Sequence, residues 1–200
     1  AVGIYQDSTP EEVQFAADFS NSRYVIAEDQ EQIDKLLEIK DRLPSAVKFI
    51  YWDPKGMRYY RDPLLMSFQE IEKLGAAYKK EHPGEFERQV AEGKGEDIAL
   101  FLTTSGTTGR PKLVMLTHKN MIKMAENLSI KVDPLNEKDN FVSFLPMAWA
   151  GEQMMSVAGA LRIGFTVNFP EEPETVRANI REIAPQVMFS PPRIWESILS

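Results

Sequence analysis

Short apolar runs of strand type alternate with longer amphipathic stretches along nearly the whole chain, and this alternation limits the available folds most. The apolar runs fall at 24–27, 47–52, 98–102, 113–116, 141–145, 165–169 and 187–190. Between them, residues 10–20, 30–39, 67–78, 119–129, 151–161 and 175–183 carry helical signals, and a last helix follows residue 190. Strands separated by helices pair through crossovers, which favours parallel pairing and helices on both faces of a sheet. The predicted class is therefore α/β, a doubly wound and mostly parallel sheet. Such sheets bind ligands at the carboxyl ends of their strands.

Local signals sharpen several boundaries. Thr9 precedes Pro10, Glu11 and Glu12, an N-cap followed by proline at the first helical position and acids in the first turn. Ser67 with Glu70 three residues on forms a capping-box pattern for a helix through Tyr78. Ile33, Leu36, Leu37 and Ile39 share a helical face, as do Met121, Ile122, Ala125 and Leu128. Residues 79–97 are polar and charged around Pro83, Gly84, Gly93 and Gly95, a surface connection with a short helix expected at 85–91.

Composition excludes some functions. A net charge of −7 argues against a general nucleic-acid binder. With no cysteine, neither disulfides nor thiolate metal sites can form. The uncharged run 140–151 is too short to cross a bilayer, and no signal-peptide pattern is visible, so a cytoplasmic location is expected. The chain opens on Ala1-Val2-Gly3-Ile4-Tyr5 without an initiator methionine and closes within helix-like sequence. It is expected to be a piece of a longer protein, whose remaining parts would decide oligomeric state and any attachment to a membrane surface.

The chemistry concentrates at 103–112. Thr103, Thr104, Ser105, Thr107 and Thr108 surround Gly106 and Gly109, and Lys112 follows. Glycines let backbone N–H groups turn inward as an anion-binding nest, hydroxyls add donors, and lysine adds a positive charge suited to phosphate. A Walker A loop is disfavoured. Counting from Gly106, Pro111 stands at its second glycine and Leu113 at its Ser/Thr position, and strand-like sequence rather than a helix follows. The plainer alternative is a polar hairpin turn.

The string Thr103-Thr104-Ser105-Gly106-Thr107-Thr108-Gly109-Arg110-Pro111-Lys112 resembles the signature of the adenylate-forming superfamily, which includes acyl-CoA synthetases, luciferases and amino-acid adenylation domains. Leu113 departs from the glycine usual after that lysine. The resemblance implies part of a large amino-terminal AMP-binding domain, with ATP, Mg²⁺ and coenzyme A taking part. It implies that Thr104, Ser105, Gly106, Thr107, Thr108, Gly109 and Lys112 bind phosphate, that Lys112 and Thr107 act in catalysis, and that Thr107 approaches the magnesium ion. Phe144-Leu145-Pro146-Met147-Ala148-Trp149 resembles the family's second motif, with Trp149 where histidine is frequent, and by that likeness Trp149 borders the acyl pocket. The alternative there is a buried strand end.

Residues 86–95 and 190–196 resemble segments of long-chain fatty acyl-CoA synthetases. The implied function is activation of a long-chain fatty acid to its adenylate and then to acyl-CoA. The fatty acid, ATP, CoA and the remainder of the chain would be the partners. The family's adenine, ribose and metal-glutamate motifs are expected beyond Ser200, so these 200 residues are expected to be inactive alone. A ligase for an aryl, short-chain or amino acid, and a non-catalytic nucleotide-binding or scaffold protein, are the alternatives. Glu152 reads as a first-turn carboxylate complementing a helix dipole, and His118 as a hydrogen-bonding element at a helix start. His82 carries no assignment.

Overall fold

The computed structural model describes residues 1–104, 112–128 and 134–199, with side chains through residue 196. The chain is α/β, with parallel strands and helices, and divides into two units: one spans Ile4–Lys94 and the other begins at Gly95.

The first unit carries a three-stranded parallel sheet in the order β1 (Tyr24–Ala27), β2 (Lys48–Tyr51), β3 (Leu65–Ser67). Strand β3 was not expected. Its three residues run directly into a helix cap, too short a run to show alternation. Helix α1 (Pro10–Phe19) begins in a capping box, Thr9 accepting from the Glu12 amide and Glu12 accepting from the Thr9 amide. Helix α2 (Gln30–Ile39) begins where Asp29 accepts from the Gln32 amide. Val13 and Ala17 of α1 join Ile33, Leu36 and Ile39 of α2 and Phe49 of β2 in one core, where Ile33, Ile39 and Phe49 are fully buried. The spacing of apolar residues on α2 thus becomes its inward face.

Segment 79–97 is more ordered than its polarity suggests. Helix α3 (Phe68–Glu81), capped by Ser67 and Glu70, runs three residues past Tyr78, and α4 (Glu85–Glu92) follows after Gly84 in the left-handed region. The charges that suggested a loop are paired along α4, where Arg88 binds Glu85 at 2.6 Å and Glu92 at 2.5 Å. Pairs at this spacing support a helix with little burial.

In the second unit, β4 (Ile98–Thr104) and β5 (Lys112–Thr117) pair antiparallel. The short connection at 105–111 cannot hold the crossover that parallel pairing requires. Leu100 and Leu102 of β4 pack with Met121 of α5 (His118–Asn127). Ala1 lies along β4, its amino group donating to the Ala99 carbonyl at 3.0 Å and its carbonyl accepting from the Phe101 amide at 2.7 Å.

Farther on, β6 (Asn140–Val142) and β7 (Thr166–Asn168) pair parallel. The strand expected at 187–190 reduces to one parallel bridge, Phe141 with Val187. The Gln186 side chain accepts from the Asn140 amide at 2.8 Å, where a further ladder bond would begin. Prolines at 185 and 191 remove donors on either side. The helix expected at 151–161 is composite: α6 (Ala150–Glu152), a π-helical stretch Gln153–Gly159, and α7 (Ala160–Ile163). Within it the Ser156 hydroxyl donates to the Glu152 carbonyl at 2.7 Å. Such hydroxyl back-bonding competes with the ordinary amide ladder. Helices α8 (Val176–Ile183) and α9 (Pro192–Leu199) complete the unit. Among the described residues, no helix is long and apolar enough to cross a membrane.

Candidate functional site

The two flanks of the hydroxyl-rich segment face each other. Thr104 ends β4, Lys112 begins β5, and the two are partners in register. Both side chains are exposed. The hairpin therefore holds a threonine and a lysine together at the base of the segment between them. Ser105, Gly106, Thr107, Thr108 and Gly109 lie outside the described residues. Among the described residues there is no group of three or more His, Asp or Glu side chains able to hold a metal ion. Thr107, the residue expected to approach magnesium, lies outside the described residues.

Strand β5 passes directly into α5. Thr117 is the cap, accepting from the Asn120 amide at 3.1 Å while Asn120 accepts from the Thr117 amide at 3.0 Å. His118 sits at the helix start as expected, and its hydrogen bond there is made by the backbone. It is the first residue of the helix and its side chain is exposed; its backbone amide donates to the Asp97 carbonyl at 3.1 Å. The cap belongs to Thr117 because its β-region backbone turns the short hydroxyl onto the orphan amide.

Trp149 stands before the first turn of α6, half-buried, with its ring stacked on Phe189 at 5.4 Å between centroids and 24° between planes. Its amide donates to the Pro146 carbonyl at 2.8 Å, closing a turn after the strand. Gly151 fits beneath the pair only because it has no side chain. A Cβ there would lie 2.4 Å from Trp149 Cζ3 and 2.5 Å from Phe189 Cε1.

Glu152 departs from its expected role. It is in the first turn of α6, yet only 1% exposed. Ser143, the residue after β6, donates its hydroxyl to Glu152 Oε1, whereas Oε2 has no protein hydrogen-bond partner. Burial pushes this carboxyl above its ordinary range, against the opposing effects of the Ser143 hydroxyl first, then the Ser156 hydroxyl and the Leu145 backbone. Complementing a helix dipole requires the charged form, which burial disfavours. A buried polar atom without a partner costs about 1–3 kcal/mol, so this side chain calls for a different explanation.

Sequence reasoning missed Ser143 and Phe189 as members of this cluster. The one legible signal was an acid directly after the uncharged run 140–151, with hydroxyls at 143 and 156. Ser190 Oγ, next to Phe189, is likewise buried without a hydrogen-bond partner.

Comparison with known proteins agrees with this architecture. A rat long-chain-fatty-acid–CoA ligase, ACSBG2, is 29% identical over 210 residues, covering 98% of this chain and 30% of the relative. The fruit-fly long-chain-fatty-acid–CoA ligase heimdall is 26% identical, covering 98% of this chain and 29% of the relative. The chain thus spans about 30% of the length of the curated relatives it matches. Among solved structures, the anthranilate CoA ligase AuaEII in complex with anthranoyl-AMP matches in fold, with a TM-score of 0.71 at 19% identity, covering 95% of this chain and 35% of that one. The family model for AMP-binding enzymes matches residues 1–200, and the chain belongs to that adenylate-forming family.

Proposed function

We propose that the whole protein activates a long-chain fatty acid with ATP, forming an acyl adenylate and then acyl-CoA, and that this chain supplies its phosphate-binding segment and part of its acyl site. The observation that carries the reading is the likeness of nearly the entire chain to long-chain-fatty-acid–CoA ligases. The hairpin that pairs Thr104 with Lys112 at the base of the hydroxyl-rich segment supports it.

The chemistry follows from charge. A carboxylate attacking the α-phosphate brings together two negative groups, so alignment and preorganised positive charge dominate the rate. Lys112 offsets charge on the β- and γ-phosphates, while Thr104, Ser105, Thr107 and Thr108 donate to their oxygens as pyrophosphate leaves. Gly106 and Gly109 let the backbone approach the phosphates closely. Magnesium, when bound, adds further positive charge on the phosphates, and Thr107 is the residue of this chain proposed to approach it. Oxygen ligands from outside these 200 residues would complete that site. Trp149 with Phe189 forms an apolar wall of the acyl site, after the carboxyl end of β6, where α/β folds receive ligands. Coenzyme A is the acceptor in the second half-reaction. The protein is proposed to be cytoplasmic, with any peripheral attachment to a membrane supplied by residues outside these 200.

The test is acid-dependent ATP–pyrophosphate exchange by the full-length protein over a series of acyl chain lengths, with the 200-residue chain as control. Exchange peaking with long chains and absent from the control is the expected result. Exchange with aryl, short-chain or amino acids only would discard the fatty acid but keep adenylation. No exchange with any acid would overturn the reading, and adenylate formation by the control would overturn the assignment of essential groups outside these residues.

A further inference from the structure

The segment between β6 and α7 contains a tie whose purpose the proposed chemistry does not use. Strand β6 ends at Val142, and Ser143 follows with its side chain turned inward, 6% exposed. The chain then leaves through Pro146, turns at Trp149 and enters α6. Nine residues after Ser143, Glu152 returns to it, and the Ser143 hydroxyl donates to Glu152 Oε1. The bond therefore closes a loop, fastening the first turn of α6 to the end of β6.

Everything inside that loop depends on where the first turn sits. Trp149 is the residue before α6, and its carbonyl accepts from the Gln153 amide at 3.2 Å. The Gln153 side chain donates to the Met147 carbonyl at 2.7 Å, a second bond across the same turn. Gly151 lies against the edges of both the Trp149 and Phe189 rings, with no room for a Cβ. A turn packed this closely holds its aromatic ring in one orientation only while its anchor holds. The anchor is an unusual one. An apolar residue could fill a buried position with no polar atom left unpaired, yet here a carboxyl is buried with Oε2 lacking a protein partner. What the carboxyl provides, and an apolar group of the same volume would not, is a directional bond to one atom of the β6 end.

We propose that Glu152 is a positioning residue, which through Ser143 fastens the start of α6 to the end of β6 and so holds Trp149 stacked on Phe189. The consequence for substrate choice rests on the proposed function, because it takes the Trp149–Phe189 pair as a wall of the acyl site. The positioning itself does not. With the tie intact, the wall is rigid and the length of acyl chain accepted is narrow. Without it, the Trp149 ring leaves the stack and the wall yields.

The experiment uses the full-length protein labelled with 5-fluorotryptophan, the Trp149 resonance in ¹⁹F NMR being identified by its loss in Trp149→Phe. Glu152→Ala and Ser143→Ala remove the tie from opposite sides, and Glu152→Gln keeps its shape and an accepting oxygen. Both alanine variants are expected to shift or broaden the Trp149 resonance, while Glu152→Gln restores the native one. For acid activation, Glu152→Ala is expected to raise the KM for the preferred long-chain acid by about tenfold and broaden the chain-length profile, with the KM for ATP within about twofold. A native Trp149 resonance in either folded alanine variant would overturn the proposal, as would a rise in the ATP KM equal to that for the acid. If the wild-type protein activates no long-chain acid, the proposed function fails, and the Trp149 resonance still decides the positioning role. Ser143→Ala, the smaller change, carries the test if Glu152→Ala does not fold.

Discussion

Gly151→Ala isolates the packing under Trp149 with the smallest possible change. The added Cβ would lie 2.4 Å from Trp149 Cζ3 and 2.5 Å from Phe189 Cε1, whereas ordinary contact begins at 3.4 Å. One or both rings must then retreat by about 1 Å, a displacement that forfeits up to about half of each close-packed contact it opens. Overpacking of this kind costs about 1–3 kcal/mol, and loss of the aromatic pair about 0.5–1.5 kcal/mol more. Against this stands the helix preference of alanine over glycine, about 1 kcal/mol at most. Subtracting that leaves a net destabilisation of about 0.5–3.5 kcal/mol, or about 1–14 °C in Tm for a chain of this size. Gly75→Ala is the matched control. Gly75 lies inside α3 with nothing within 4 Å of an added Cβ, so the same substitution should stabilise by about 0.5–1 kcal/mol. Thermal melts of the two variants beside the wild type should therefore move in opposite directions, with acrylamide quenching of tryptophan fluorescence rising only in Gly151→Ala. An unchanged or raised Tm for Gly151→Ala, with unchanged quenching, would refute the packing argument.

Three further outcomes are expected. Ser67→Ala removes the cap of α3, where Ser67 accepts from the Glu70 amide at 3.2 Å, and should lower stability by about 0.5–2 kcal/mol in urea titration. Stability should also fall in acid. Lys40 hydrogen-bonded to Asp62 at 2.5 Å, and Ser67 hydrogen-bonded to Glu70, hold both carboxyls below their ordinary values, 3.8 and 4.5. The unfolded chain then takes protons first, so this contribution is complete above about pH 4.5 and is lost as pH falls through the lowered folded values. Unfolding midpoints measured from pH 6 downward should show it, and Asp62→Asn should make the decline shallower. Trp149→Ala in the full-length protein should shift the preferred acyl chain length in pyrophosphate exchange; an unchanged profile would remove Trp149 from the acyl wall.

Much of the fold was legible because its signals are local. The predicted bounds of 24–27 and 30–39 coincide with β1 and α2, since apolar spacing and an Asp29 cap need only neighbouring residues to act. Thr9 and Ser67 form the capping boxes their sequence patterns predict. Less was legible where a side chain replaces a backbone partner. Gln186 takes the Asn140 amide and shortens the expected strand at 187–190, while Ser156 bonds the Glu152 carbonyl within a helix that widens to π form. The hydroxyl-rich segment was recognised as a motif, and the structure adds that Thr104 and Lys112 oppose each other at its base.

By itself, then, the sequence determined the strand–helix alternation, the caps and the family motif, because propensity, capping and motif chemistry act over a few consecutive residues. Only the tertiary structure decided that Glu152 is a buried, raised-pKa carboxyl tied to Ser143 and that Phe189 is the partner of Trp149. Burial and stacking depend on which distant segments are brought together. Trp149 and Phe189 are 40 residues apart in the chain, and no local pattern records that their rings will meet.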